Sequence, residues 1–337
     1  MQIILRYFMR QYYLSYIRFF SVFFVVLSHS FAPYSAWNWI SNDEDSFFSI
    51  SNKIIDPFVS MMPLLTFLSG YLYYTIRFKY VSFISFFLKK FERLIVPMIF
   101  FGIIYYLLFE NNKSLSLHTI NTILSGYSIM WFCNMLFLCF VISYPITKYI
   151  KNIYFQMMIL LLSFGLIYIN TPSILGLNYF TKLFFYFYFG FIFSEIVSKY
   201  SVYNYKKLII ILCILFIINY LLFEYNILFE VNNRLIKVLS GNILRVSFIL
   251  FIILLLRRYE PKLKYSKSFH FLDMNSFGCY IFHYPIIVFI YKTRFIGLNS
   301  LNQYWVFPIG AFIIATVIAY LLTYLFRKSK IGLYMLG

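Results

Sequence analysis

Ten stretches of this chain are long and apolar enough to cross a hydrocarbon layer, and that feature excludes most of what 337 residues could otherwise fold into. A bilayer core of about 30 Å is crossed by roughly 20 apolar residues in a helix rising about 1.5 Å per residue. The windows fall near residues 14–32, 54–76, 91–109, 126–147, 153–170, 178–197, 207–224, 240–256, 274–291 and 305–326. Their unbroken apolar character selects helices over a barrel, whose strands would alternate polar and apolar residues. With 62% hydrophobic and 12% charged residues and a mean hydropathy of +0.79, the surface is built for lipid. The expected fold is all-α: a polytopic integral membrane helical bundle of about ten transmembrane helices. It is expected to form a single membrane-embedded domain over 1–337, without internal repeats and with no appended soluble domain.

The net charge of +18 could suggest a nucleic-acid partner, but the bases are not gathered on a polar module that could carry one. They sit in short clusters between the apolar windows, as membrane topology requires. With a cytoplasmic N-terminus, the outer side keeps Lys53, Lys113, Lys182, Arg234, Lys237, Arg245, Lys292 and Arg294, leaving 21 of the 29 basic residues inside. Asp43, Glu44, Asp45, Asp56, Glu110, Glu224 and Glu230 fall outside, 7 of the 11 acidic residues. Ten spans with both termini cytoplasmic satisfy the positive-inside rule at every inner loop. The N-terminal run after Arg6 and Arg10 mimics a secretory leader. Its length, its His29 and the lack of a small-x-small cleavage site mark it as a retained first span. Cys133, Cys139, Cys213 and Cys279 lie in apolar windows without C-x-x-C spacing, so they are expected to be buried hydrophobes rather than disulfide partners or metal ligands.

Within the first span, "YIRFFSVFFVVLSHSF" (16–31) holds an arginine and a histidine where both are expensive. Arg18 and His29 are eleven positions apart. On a helix that is about 1100°, some 20° beyond three full turns, with a rise near 16 Å. The two side chains therefore share one stripe, with Arg18 near the cytoplasmic end and His29 towards the outer half. Position alone leaves more than one reading for each. Arg18 serves as a snorkelling anchor or as a functional cation, and His29 as an interhelical hydrogen-bonding group, as a residue at the outer headgroups, or as a reactive one.

Tyr16-Ile17-Arg18 followed by ten residues and His29 resembles the opening motif of the membrane acyltransferase-3 family. Further stretches match in order. "FLSGYLYY" (67–74) is similar to its Ser-Gly-aromatic motif, and "KKFERLIVP" (89–97) to the basic run, Arg-Leu and Pro that open its third span. "MWFCNMLF" (130–137) resembles its Trp-Phe segment, and "FGCYIFHYPI" (277–286) its Tyr-x-x-His-x-Pro pattern. One departure is that Lys90-x-x-Arg93 stands where many members carry Arg-x-x-Arg; lysine keeps the charge but lacks the bidentate fork.

The resemblance implies an O-acyltransferase of the bacterial inner (cytoplasmic) membrane. It would transfer an acyl group, typically acetyl, from acetyl-CoA or another acyl-CoA to a hydroxyl of O-antigen, capsule, exopolysaccharide or a lipid-linked precursor. The donor is a substrate, and no permanently bound cofactor and no metal are expected. Partners are the acyl-CoA, the glycan acceptor, the bilayer and polysaccharide-assembly proteins, with no nucleic acid. His29 and Arg18 are the expected catalytic pair. A neutral imidazole can take the hydroxyl proton as the oxygen attacks the acyl carbon, or can be acylated transiently. Lys89, Lys90 and Arg93 are the expected donor-binding bases, suited to the phosphates of coenzyme A. His283, Trp131, Ser69 and Tyr280 are candidate substrate-site residues. For Trp131, a membrane-interface anchor is the competing reading, and for Ser69-Gly70, close helix packing. Glu92 is expected only to moderate Arg93. His118 and His270 are placed in loops, and Asp273 and Asn275 at the N-cap of the ninth span. Two rivals remain: an exporter of polysaccharide or lipid-linked sugar with no acyl chemistry, and an acyltransferase using another donor, such as succinyl-CoA, or a non-glycan acceptor.

Overall fold

The computed structural model describes residues 12–31, 61–76, 82–110, 116–199, 205–228, 234–263, 265–293 and 306–336. These residues are almost entirely helical, with no strand among them. The α-helices are α1 (Tyr12–Phe31), α2 (Met61–Ile76), α3 (Phe83–Lys90), α4 (Val96–Phe109), α5 (Leu117–Leu124), α6 (Trp131–Tyr149) and α7 (Ile153–Leu166). They continue with α8 (Leu177–Lys199), α9 (Tyr205–Leu228), α10 (Arg234–Tyr259), α11 (Lys267–Thr293), α12 (Val306–Arg327) and α13 (Lys330–Leu336). Each of the ten apolar windows contains a helix among its described residues. Among the described residues, seven helical stretches have the length and composition to cross a membrane: α1, the stretch Phe83–Phe109, Ser128–Tyr149, Leu177–Ser198, Val238–Tyr259, α11 and α12.

The third of the ten windows is longer than its apolar run indicates. The helix starts at Phe83 and continues to Phe109 through one widened turn, Phe91–Ile95, where the Val96 N–H donates to the Phe91 carbonyl five residues back. Pro97 is the cause. It has no N–H for the Arg93 carbonyl, and its ring crowds that carbonyl, so the ladder slips by one residue instead of breaking. Two further differences lie at helix ends. His118 is on the short helix α5 and His270 on α11, not in loops. Asp273 and Asn275 lie inside α11, which begins at Lys267; Ser266 accepts the Phe269 N–H at 3.1 Å and does the capping. The serine sits in the polar "KYSKS" run ahead of the apolar window, where a helix start is easily overlooked.

The chain packs as two compact units. One comprises Met1–Leu65 and Ser201–Thr323, the other Thr66–Tyr200 and Tyr324–Gly337. In the first unit α1 lies against α11 and α10, and α9 pairs with α10. The α1–α11 contact is a ladder of rings. Tyr12 stacks on Tyr265 with centroids 4.9 Å apart, and Tyr16 on Phe269 at 3.9 Å. At the far end the Tyr291 hydroxyl donates to the Ser30 carbonyl. Residue numbers rise together along both helices, so α1 and α11 run parallel.

The second unit is an aromatic core. Tyr73, Phe86, Phe140, Tyr144, Phe187 and Phe191 meet edge-on, tilted or stacked, Phe86 and Tyr144 at 4.7 Å. Between lipid-solvated helices, close packing rather than expulsion from water holds such a core together. Small residues allow it here. A Cβ at Gly70 of α2 would overlap the Phe187 carbonyl of α8, and one at Gly190 of α8 would overlap the Phe67 carbonyl of α2.

Candidate active site on the first helix

Glu260, in the turn that follows α10, accepts the backbone N–H groups of Tyr12 and Tyr13, the first described residues of α1, and so ties that end of the helix to α10. Burial lifts this carboxyl above its ordinary range, while the two amides and Arg257 act the other way. Along α1 the helical period carries Arg18 and His29 onto one stripe, as their spacing predicts, and the stripe faces α11.

Each of the two meets a partner there. The Arg18 guanidinium donates from Nε to Asp273 Oδ1 at 2.9 Å and from Nη2 to the same oxygen. Asp273 is buried and Arg18 is 38% exposed. The other carboxylate oxygen, Oδ2, accepts from the Tyr265 hydroxyl at 2.8 Å, and the Ser15 hydroxyl adds a further hydrogen bond to the carboxylate. Tyr265 in turn lies 3.1 Å from His270 Nδ1. A buried charge is tolerated when its lone pairs are filled in this way.

Higher on the stripe, His29 Nδ1 lies 2.8 Å from His283 Nε2, and His283 Nδ1 lies 3.1 Å from the Cys279 carbonyl. The chain of donors follows from chemistry. A carbonyl only accepts, so His283 Nδ1 carries the hydrogen and donates it. In a neutral ring its Nε2 is then the acceptor. His29 Nδ1 must donate to it, which places the basic lone pair of His29 on Nε2. His283 is fully buried on α11, whereas His29 is half-buried. The pair reproduces a recurring catalytic arrangement, in which a base is held in one tautomer by a second group behind it.

The register of the two helices makes both meetings possible at once. Arg18 and His29 are eleven residues apart on α1, and Asp273 and His283 are ten apart on α11, so each pair is separated by about 15–16 Å of rise. Asp273 and Tyr265 were missed from the sequence, although a signal existed. An aspartate ten residues, nearly three turns, before His283, on a span starting from the same side as α1, matches Arg18 in depth. Tyr280, one turn before His283 and buried, places its ring 5.9 Å from that of His283.

The other expected site residues belong to the second unit. Lys89, in the last turn of α3, and Arg93, in the widened turn, are both exposed. Lys90 is not at a rim: it is 7% exposed, with its ammonium 3.7 Å from the centre of the Phe140 ring. That is a cation–π seat and leaves the outward charge to its neighbours. Trp131, at the start of α6, stacks on Tyr179 at 4.2 Å. Ser69 is half-buried beside the close α2–α8 crossing at Gly70. In the first unit, a cavity of about 170 Å³ opens between Phe20, Phe24, Met61, Leu64, Phe248 and Ile252. It is apolar and uses a face of α1 turned away from the Arg18–His29 stripe.

A protein-family model described as an acyltransferase domain matches residues 11–324. No curated protein and no solved structure matches the chain.

Proposed function

The chain belongs to the acyltransferase-3 family and is a multi-pass membrane acyltransferase; from that premise we propose that it O-acylates a cell-surface glycan. The acyl group, acetyl in the simplest case, comes from cytoplasmic acyl-CoA and goes to a hydroxyl of a polysaccharide or of its lipid-linked precursor. The membrane is the inner membrane of a bacterium.

The observation that carries this reading is the oriented histidine pair on the α1–α11 ladder. His29 Nε2 accepts the proton of the acceptor hydroxyl as that oxygen attacks the acyl carbon. The carbon–oxygen bond forms, the carbon–sulfur bond breaks, and the proton held at Nε2 passes to the departing sulfur. His283 keeps the other nitrogen of His29 engaged throughout, so the base does not have to reorient. Arg18 supplies hydrogen-bond donors about 16 Å along the same stripe, a span suited to an extended donor arm. Lys89 and Arg93 offer charge to the donor's phosphates.

The test is chemical. Surface glycans from cells lacking this chain should lose ester-linked acyl mass, seen by mass spectrometry before and after mild alkali, and regain it when the wild-type chain is restored. Unchanged ester content with less glycan at the surface would make the protein an exporter instead.

A further inference from the structure

Arg18 is the cation of the proposed site, yet what it can bind is set by Asp273. The guanidinium has five N–H donors in a rigid plane. Asp273 engages the side edge, Nε and one hydrogen of Nη2, and nothing among the described residues takes the end-on edge formed by Nη1 and Nη2. The carboxylate itself cannot swing, because Tyr265 and Ser15 hold it and because it is buried. We propose that Asp273 is a positioning residue for acyl transfer, which turns the side edge of Arg18 inward and presents its end-on edge to a carbonyl oxygen of the acyl donor's uncharged arm.

The choice of a carbonyl over a phosphate follows from charge. Arg18 and Asp273 together are close to neutral, so their combined field falls off quickly and attracts a distant polyanion weakly. What remains is short-range and directional: a two-pronged donor facing an oxygen directly in front of it. A lysine at 18 would keep the charge and lose the fork. An asparagine at 273 would keep the shape and lose the clamp.

This inference rests on the acyl-transfer reading, and the experiment separates the two. Inverted vesicles from the native host, which contain endogenous acceptor, are given acetyl-CoA or S-acetylpantetheine; the second carries the uncharged arm and none of the phosphates. Thioester consumption is followed for wild type, Asp273→Asn, Asp273→Glu, Arg18→Gln and the double variant Arg18→Gln with Asp273→Asn. Asp273→Asn is expected to lower kcat/KM about tenfold or more, by the same factor for both thioesters and mainly through KM. Asp273→Glu should recover part of the loss, and the double variant should be no worse than Arg18→Gln alone, because both changes remove one contact. The double variant also contains no unpaired buried charge, so its amount in the membrane controls for folding. A loss confined to acetyl-CoA would assign Arg18 to the phosphates and overturn the proposal. Losses that multiply in the double variant would overturn it too, by making Asp273 merely structural. If wild type consumed neither thioester, the acyl-transfer reading would fail before any variant was compared.

Discussion

His29→Ala is expected to lower acyl transfer by about 10²–10⁴-fold, the usual contribution of a positioned general base, while the chain still inserts and accumulates. The expectation is specific because His29 is half-buried and its stacking on His283, with centroids 5.1 Å apart, is only one of several ring contacts that join α1 to α11. The others include Tyr12 on Tyr265 and Tyr16 on Phe269. Those two stacks, and the Tyr291 hydrogen bond to Ser30, remain when the imidazole is removed. The effect should therefore appear in kcat for the purified full chain, with membrane abundance unchanged. His283→Gln should cost less, since His283 acts through the orientation of His29. A His29→Ala protein that transferred acyl groups at the wild-type rate would remove the base from the mechanism.

The second large effect concerns folding. Gly70→Val or Gly190→Val should prevent the second unit from packing, because each new side chain would meet backbone atoms of the facing helix. A flexible side chain could swing away from an added methyl group, but the carbonyls of Phe187 and Phe67 can move only if α8 and α2 separate. Forced overpacking commonly costs 1–3 kcal/mol, and about 3 kcal/mol or more is expected at a backbone-to-backbone crossing. The measurement is the folded fraction after extraction in mild detergent, by size-exclusion chromatography. Gly165→Ala is the control: a Cβ there meets nothing within 4 Å, so the variant should behave as wild type.

The sequence disclosed the positions of the helices and hid their junctions. Long apolar runs have one solution in lipid, so each window became a helix. Polar neighbours of those windows were misjudged: Ser266 starts α11 well before its apolar run, and the third span, placed at 91–109, begins at Phe83 and runs on through the turn that Pro97 widens. At the site, the 3.6-residue period placed Arg18 and His29 on one stripe because that is a property of a single helix. What the stripe faces depends on how α1 and α11 are aligned, and only the packed structure gives that alignment. Hence His283 was one candidate among several, and Asp273 was assigned to a cap. Lys90 shows the converse. Its motif suggests a phosphate-binding base, but the turn created by Pro97 and the ring of Phe140 give it an inward seat.

The account depends most on the register of α1 against α11, and cross-linking in native membranes measures it. In a chain with its four cysteines replaced, Tyr16→Cys is combined with Phe269→Cys, or with Tyr291→Cys some six helical turns further along α11, and treated with a short bismaleimide. The parallel, matched ladder predicts a linked band for the 16–269 pair and none for the 16–291 pair. Linkage of 16 to 291, with none between 16 and 269, would contradict it, because Arg18 and His29 could not then meet Asp273 and His283 together.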